Sequence, residues 1–439
     1  MTESQLAPIL ISLTTMLAAA HVLGYVAAKL RQPRFVGEIL AGVLLGPFVL
    51  GQFAPDATRS LLGDPADAGD PTRLVLGFLS WLGLLLLMFI SGSEVRRVLA
   101  REQRRPTLWI LGLGTAVPFA IAFAIGSALR TDDLRGPSGG KVAFLVVLAT
   151  AAAVTSIPVI SRIFHDLKIL HTRFASLILG TAMLEDIALF AALAVATALA
   201  RPEGDVAAGE VAAHIAVTIA YLLVGLLVAP RLLRAVVDRR WNVLARRQQV
   251  AYALVLMLAY TSVAAALEAN VVFGAFLAGF GLVGGIQGTE REWFAPALDA
   301  IGRVAFASFI PLYFVLVGTR LELGAGFSIA VLLVFLIGSS ALRTSSVAVA
   351  SRVAGFGGRD ALDVAVSMNA RGGPGIVLAT VAFEAGIIAP QFFTALVITA
   401  IVTSQFAGWW LGRALRNRGE LLGERIGRAA TAPQTETPA

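Results

Sequence analysis

The chain is a succession of apolar runs, each about as long as a bilayer is thick, and that leaves few folds open to it. A hydrocarbon core of about 30 Å needs about 20 apolar residues of helix. Runs that meet this test begin near Leu6, Phe35, Leu74, Leu108, Val142, Phe174, Val211, Val250, Val271, Val304, Phe327, Leu362 and Phe392. The pattern predicts an all-α polytopic membrane protein with about 13 transmembrane helices, multi-pass in the cell membrane. The runs from Val250 and Val271 are separated only by residues 267–270, so that hairpin is the least sharply marked. Composition agrees: 57% of residues are hydrophobic and 14% charged, against about 25% charged in a soluble domain whose surface must be wetted. A cytoplasmic enzyme, a nucleic-acid-binding domain and a disordered chain are excluded on that ground. The net charge of +7 belongs to basic loops at a membrane face and not to a nucleic-acid partner.

Several chemistries drop out with the residue types. There is no cysteine, so disulfides, thiolate metal sites and thiol nucleophiles are absent. His21, His165, His171 and His214 are scattered without ligand spacing. No Walker or GxGxxG motif follows a strand-like run, so ATP-driven pumping has no support and no cofactor is expected. The leader Met1–Gln5 carries no Lys or Arg, which predicts that the first run is retained and not cleaved as a signal peptide.

Orientation follows from the basic residues. Loops after odd-numbered runs, with the C-terminal tail, hold roughly 26 of the Lys and Arg residues, and the opposite loops about 7. The dense clusters are Arg96, Arg97, Arg101, Arg104 and Arg105, then Arg231, Arg234, Arg239, Arg240, Arg246 and Arg247. The positive-inside rule therefore predicts an outer N-terminus and a cytoplasmic C-terminus. A transmembrane domain over 1–417 and a disordered cytoplasmic tail over 418–439 are expected, with the largest outer loop, Ala54 to Thr72, rich in Asp, Gly and Pro. No stretch suits a soluble domain, so function is placed within the membrane or at its faces.

Ionisable groups inside apolar runs are the informative residues, because each is costly unless paired or hydrated. Four stand out: Glu185 and Asp186 in GTAMLEDIALFAAL, Arg343 in FLIGSSALRTSS, and Arg371 in SMNARGGPGIVLA. Neighbouring helical residues point about 100° apart, so both acids can face one cavity but not one point. Adjacent carboxylates in a low dielectric do not both stay ionised without cations nearby. Such a pair suits exchange of protons for a hard metal cation, which takes oxygen ligands. The alternative is two acids neutralised permanently by Arg343 and Arg371.

Two runs look interrupted. The fifth reads LATAAAVTSIPVISRIF, where Pro158 removes a backbone donor close to the hydroxyls of Thr155 and Ser156. The twelfth reads MNARGGPGIVLA, where Gly372, Gly373, Pro374 and Gly375 are not expected to hold a regular helix. Interrupted helices at matching places in two halves mark a transporter site at the midplane. Repeats over about 35–200 and 271–414 start about seven crossings apart, an odd number, which makes them inverted. Asn369, two residues before Arg371, is a possible cavity-lining group. Glu38 is expected near a helix end, Asn270 as a helix cap, and Trp109, Trp293, Trp409 and Trp410 as interface anchors.

The ordered set QPRFVGEILAGVLLGP (Gln32 to Pro47), GLLLLMFISGSE (Gly83 to Glu94), TSIPVISRIFHDLKIL (Thr155 to Leu170), LEDIA (Leu184 to Ala188), FGAFLAG (Phe273 to Gly279), IPLYFVLVGTRL (Ile310 to Leu321) and MNARG (Met368 to Gly372) resembles the monovalent cation:proton antiporter superfamily, in its second branch of Kef-type and plant cation/proton exchangers. Any one motif is weak; the ordered set spans almost the whole hydrophobic chain. The resemblance implies a homodimer, a mobile core in which the fifth and twelfth segments cross as broken helices, and an elevator-like shift. It implies that Asp186 is the principal cation- and proton-binding acid, Thr155 its hydroxyl ligand, and Arg371 the basic residue of the second crossing helix.

The chain departs from the pattern twice. Glu185-Asp186 stands where the branch usually has two aspartates, and Arg343 stands where it usually has a lysine. A buried lysine can lose its proton; arginine holds its own. One expectation is therefore that Arg343 is a fixed counter-charge for Glu185, leaving Asp186 to exchange one proton per monovalent cation, Na+ or K+. The other is that Glu185 also titrates and current flows. Exchange of an organic cation or small metabolite for protons on the same scaffold stays open, whereas a channel would need a continuous polar path that these residues, gathered at one midplane site, do not supply. Ion choice, direction and pH dependence are not legible in the sequence.

Overall fold

The computed structural model describes residues 3–30, 32–67, 69–94, 104–170, 172–200, 208–237, 239, 242–286, 289–422 and 424–425. Arg31, Arg96, Arg97, Arg101, Arg240 and His171, and tail residues 426–439, lie outside the described residues. The helices are α1 (Glu3–Lys29), α2 (Arg34–Leu45), α3 (Pro71–Glu94), α4 (Arg105–Ala128), α5 (Lys141–Ala153), α6 (Ile157–Asp166), α7 (Arg173–Leu199), α8 (Ala213–Val237), α9 (Gln249–Ala266) and α10 (Val271–Gly285). They continue with α11 (Trp293–Thr319), α12 (Ile329–Val353), α13 (Gly358–Ser367), α14 (Gly372–Glu384) and α15 (Pro390–Arg418). Ten helices among the described residues are long and apolar enough to cross a membrane, and α5, α10 and α14 are shorter apolar helices. The chain is a multi-pass membrane protein. Its backbone polar groups close within helices because lipid offers them no partner.

Two sets of helices pack around each other. In one, α2 lies on α1 and α11, while α3, α8 and α9 lie on α10. In the other, α4 and α7 pack on α5, α12 packs on α4, α13 and α15, and α14 packs on α15. Small residues make the first set tight. A Cβ on Gly42 of α2 would fall 1.9 Å from the Val315 carbonyl oxygen of α11, and one on Gly318 of α11 would fall 2.1 Å from that of Ile39. The same reciprocal seam joins α3 and α10. Gly92 there faces the Phe276 carbonyl at 2.1 Å, and Gly279 that of Phe89 at 2.0 Å. Helices with no hydrophobic drive between them associate through such close backbone approach.

Both interrupted segments break, but the second does so upstream of its glycines. Helix α5 stops at an extended Val154, and α6 opens at Ile157 with Pro158 in its first turn. The twelfth segment parts between Ser367 and Gly372, and Gly372, Gly373, Pro374 and Gly375 are the first turn of α14 rather than the gap. A first-turn residue has no intrahelical acceptor for its N–H, so proline costs nothing there. A short backbone ladder, Gly136 N–H to Ile387 O at 3.0 Å and Ser138 N–H to Gly386 O at 2.9 Å, ties the entrance of α5 to the exit of α14.

Four further expectations are refined. The segment Ala54 to Thr72 contains a helix, Pro55–Leu62, started by Pro55 and Asp56. Glu38 is buried within α2. Trp410 donates to Asp363 Oδ1 at 3.0 Å and serves packing, while Trp109, Trp293 and Trp409 are exposed. Past Arg418 the chain continues into a short pairing of Glu420–Leu421 with Glu424–Arg425, with Leu421 buried. Asn270 does cap α10, its Oδ1 accepting from Val272 and Phe273 N–H at 3.0 and 3.1 Å.

Candidate functional site

The two breaks meet face to face. Ser156 N–H donates to the Ala370 carbonyl at 2.7 Å, and Thr155 Oγ1 donates to the Met368 carbonyl at 2.5 Å. Backbone groups released by each interruption thus find partners in the other, which is how irregular backbone is tolerated at membrane depth. The approach demands glycine at 372. Its φ is +35°, and a Cβ there would sit 2.2 Å from Val159 Cγ2 and 2.7 Å from Ser156 Oγ. Its N–H is taken by Ser404 Oγ of α15 at 3.0 Å. Ser156 Oγ in turn accepts from Val159 N–H at 3.4 Å and caps α6.

The unbroken α7 brings Glu185 and Asp186 to this crossing, both fully buried. Arg343 reaches Glu185 from α12, also fully buried. Its Nη2 donates to Glu185 Oε1 and Oε2 at 2.6 and 2.7 Å and to Thr155 Oγ1 at 2.8 Å. Its Nη1 donates to the Gly114 carbonyl and to Thr115 Oγ1, the latter at 3.3 Å, and Nε reaches the Met368 carbonyl at 3.4 Å. One guanidinium therefore ties α4, α7 and both breaks together. Glu185 also accepts a hydrogen bond from Thr115.

Asp186 is placed quite differently. Neither carboxylate oxygen has a hydrogen-bond partner among the described residues. Arg371, expected to compensate the acid pair, is also buried but makes no ion pair with Asp186 among the described residues. Its Nη2 reaches Asn369 Oδ1 at 3.4 Å, its Nε and Nη1 find no partner among the described residues, and its guanidinium lies 5.5 Å from the centre of the Phe335 ring. A cavity of ≈ 10 Å³ adjoins it between α5, α12, α14 and α15, room for about one water. Arg371 and Arg343 thus part company: one is enclosed by acceptors, the other by apolar side chains.

Residues 16–417 match the family model of the transmembrane sodium/hydrogen exchanger. The chain belongs to the sodium/hydrogen exchanger family. Among its relatives, Cation/H(+) antiporter 18 of Arabidopsis thaliana is 25% identical over 90% of this chain, which spans only 47% of that protein. The Na(+)/H(+) antiporter NhaS4 of Synechocystis is 24% identical, with 90% of this chain and 94% of the relative covered. The solved structure of the sodium proton antiporter MjNhaP1 of Methanocaldococcus jannaschii shares the fold. Its TM-score is 0.67 at 16% identity, covering 96% of this chain and all of that one.

Within this exchanger fold the structure brings Glu185, Arg343 and Thr155 into one hydrogen-bonded cluster and sets Ser156 and Asn369 at the crossing. Three participants escaped sequence reasoning: Thr115 and the Gly114 carbonyl of α4, and Ser404 of α15. The π turn over Gly112–Ala116 that presents the first two has a faint signal in the glycines of GLGTA, since π turns gather at functional sites. Ser404 carries none; serine in an apolar helix more often bonds back to its own turn, as Ser404 also does with the Ala400 carbonyl at 2.7 Å.

Proposed function

We propose that this chain exchanges protons for a monovalent cation, Na+ or K+, across the membrane, with Asp186 alternately holding the cation and the proton. The observation that carries this is the contrast on one helix turn. Glu185 is fully engaged by Arg343 and Thr115, while the adjacent, equally buried Asp186 has no hydrogen-bond partner among the described residues. A buried carboxylate without donors is stable as the acid or beside a cation, and poorly so alone. Thr155 and Ser156, the hydroxyls of the first break, serve as ligands in this reading. Arg343 fixes the charge of Glu185, so one proton moves per cation and exchange is close to electroneutral. Arg371 contributes positive charge to the site from a distance.

The names of the relatives, all cation/proton antiporters, support exchange. The glycine seams support inverted repeats over about 35–200 and 271–414. Ile39 and Gly42 of α2 pair with Val315 and Gly318 of α11 as Phe276 and Gly279 of α10 pair with Phe89 and Gly92 of α3. The same Leu-Ala-Gly stands within α2 at 40–42 and within α10 at 277–279. An outer N-terminus, a cytoplasmic C-terminus, about 13 crossings, a homodimer and an elevator-like shift of the set carrying both breaks complete the reading. The test is a pH-gradient dequenching assay in proteoliposomes, titrating Na+, K+ and Li+ against the parent and Asp186→Asn. Dequenching by a monovalent metal cation in the parent and its loss in the variant are expected. A variant that exchanges at the parental rate removes Asp186 from the site, and a response to an organic cation alone moves the substrate class to organic cations.

A further inference from the structure

We infer that Arg371 holds a small monovalent anion, a halide such as chloride, in the cavity between α5, α12, α14 and α15, and that this anion balances the buried arginine. The role of Asp186 does not enter the argument.

The inference starts from a charge that the protein leaves unbalanced. Arg371 is only 2% exposed. Its one polar contact is the 3.4 Å approach of Nη2 to Asn369, and Nε and Nη1 have no partner among the described residues. A buried guanidinium keeps its proton, and at membrane depth its charge is costly unless paired or hydrated. A water beside it would supply an acceptor and leave the charge as it is. An anion supplies both.

The cavity lies where such an anion is needed. Phe335, whose ring the guanidinium faces at 5.5 Å, is also a wall of the cavity, so arginine and cavity share a boundary. Arg371 is the only polar side chain among the lining residues; Ala151, Phe335, Leu378 and Leu396 form apolar walls. Gly375 of the first turn of α14 lines it too, which sets the positive end of a 13-residue helix against the same space. No residue of α7 contributes, so the cavity is separate from the acid pair.

Size selects the ligand. The cavity measures ≈ 10 Å³, room for about one water. Sulfate, phosphate and carboxylates carry several oxygens and do not fit. Chloride and bromide are single atoms, slightly larger than water, that give up their hydration readily for a guanidinium and apolar walls. Gly375 keeps the space open. A Cβ there would lie 3.2 Å from Arg371 Cβ, 3.5 Å from Ala400 Cβ and 3.8 Å from Val154 Cγ1, among three of the lining residues.

The test reads binding on the purified full chain in a nonionic detergent, with chloride, bromide, sulfate and gluconate compared at equal ionic strength. In the parent, chloride and bromide are expected to raise the unfolding midpoint over gluconate, the rise growing with the logarithm of halide concentration. General salt effects move parent and variants alike, so the quantity read is the rise in the parent less that in each variant. Arg371→Met is expected to melt near the parent in gluconate and to lose the halide rise. Gly375→Ala fills the cavity with a methyl group, leaves every charge in place and favours the helix; it too is expected to lose the rise. Sulfate should give no such difference. No halide rise in the parent, or a rise equal in the parent and both variants, leaves the cavity to water and overturns the inference. Should a variant fail to fold, chlorine-35 NMR of the parent decides. Line broadening displaced by bromide and not by sulfate supports the site, whereas no broadening, or equal displacement by sulfate, overturns it.

Discussion

Glu185 and Asp186 are neighbours on one helix, equally buried, and the protein treats them in opposite ways. Around Glu185 every donor of Arg343 is used, and the ion pair is closed by Thr115 and Thr155. Around Asp186 the protein supplies no donor among the described residues. The arginines divide likewise, Arg343 enclosed in acceptors and Arg371 set beside an apolar ring and a cavity. The lesson is that burial alone does not define a working charge. A buried pair whose hydrogen bonds are complete is architecture, tying helices that must keep their places. A buried acid without a donor among the described residues is the one to which the proposed exchange is assigned.

The largest expected effect falls on Asp186. Asp186→Asn should reduce cation-driven proton flux in vesicles to the empty-liposome level, while its thermal unfolding midpoint stays near that of the parent because no protein bond is lost. Next comes Arg343→Met. Removing one partner of a buried ion pair strands the other and costs about 3–5 kcal/mol, which should appear as a large drop in the unfolding midpoint measured in detergent. If Arg343→Met melts with the parent, the closed cluster is not structural and the comparison fails. Thr155→Val should come third, at about 1–3 kcal/mol, since it leaves the Met368 carbonyl only the longer contact from Arg343 Nε and Arg343 without one acceptor. Arg371→Met should be the mildest, within about 1 kcal/mol of the parent or slightly stabilised, because two of its guanidinium nitrogens have no partner among the described residues to lose. A loss as large as that of Arg343→Met would show that Arg371 is held in ways the present contacts do not include.

Much of this was legible in the sequence, and the limits have physical causes. The apolar runs, the four buried charges and the two interrupted segments are local facts, and local facts survive without neighbours. The break of the twelfth segment was placed on its glycines, which is where helix propensity is lowest. The chain instead breaks at Met368–Arg371, because the crossing partner supplies hydrogen bonds there and the glycines are needed for close approach inside the next turn. Asn270 was read correctly as a cap because capping is settled within three residues of the same chain. Thr115 was missed because nothing near it in sequence distinguishes it; its partners lie 70 and 228 positions away.

What the sequence determined by itself is therefore the solvent and the currency. A chain so poor in charge must live in lipid, and its few buried ionisable groups stand out there because each is costly unless paired or hydrated. Which of them are fixed and which are free was decided only by tertiary structure. Arg343 could have faced either acid from its place on α12. Burial of four separate stretches against one guanidinium chose Glu185, and by using up its hydrogen-bonding capacity left Asp186 without a hydrogen-bond partner among the described residues.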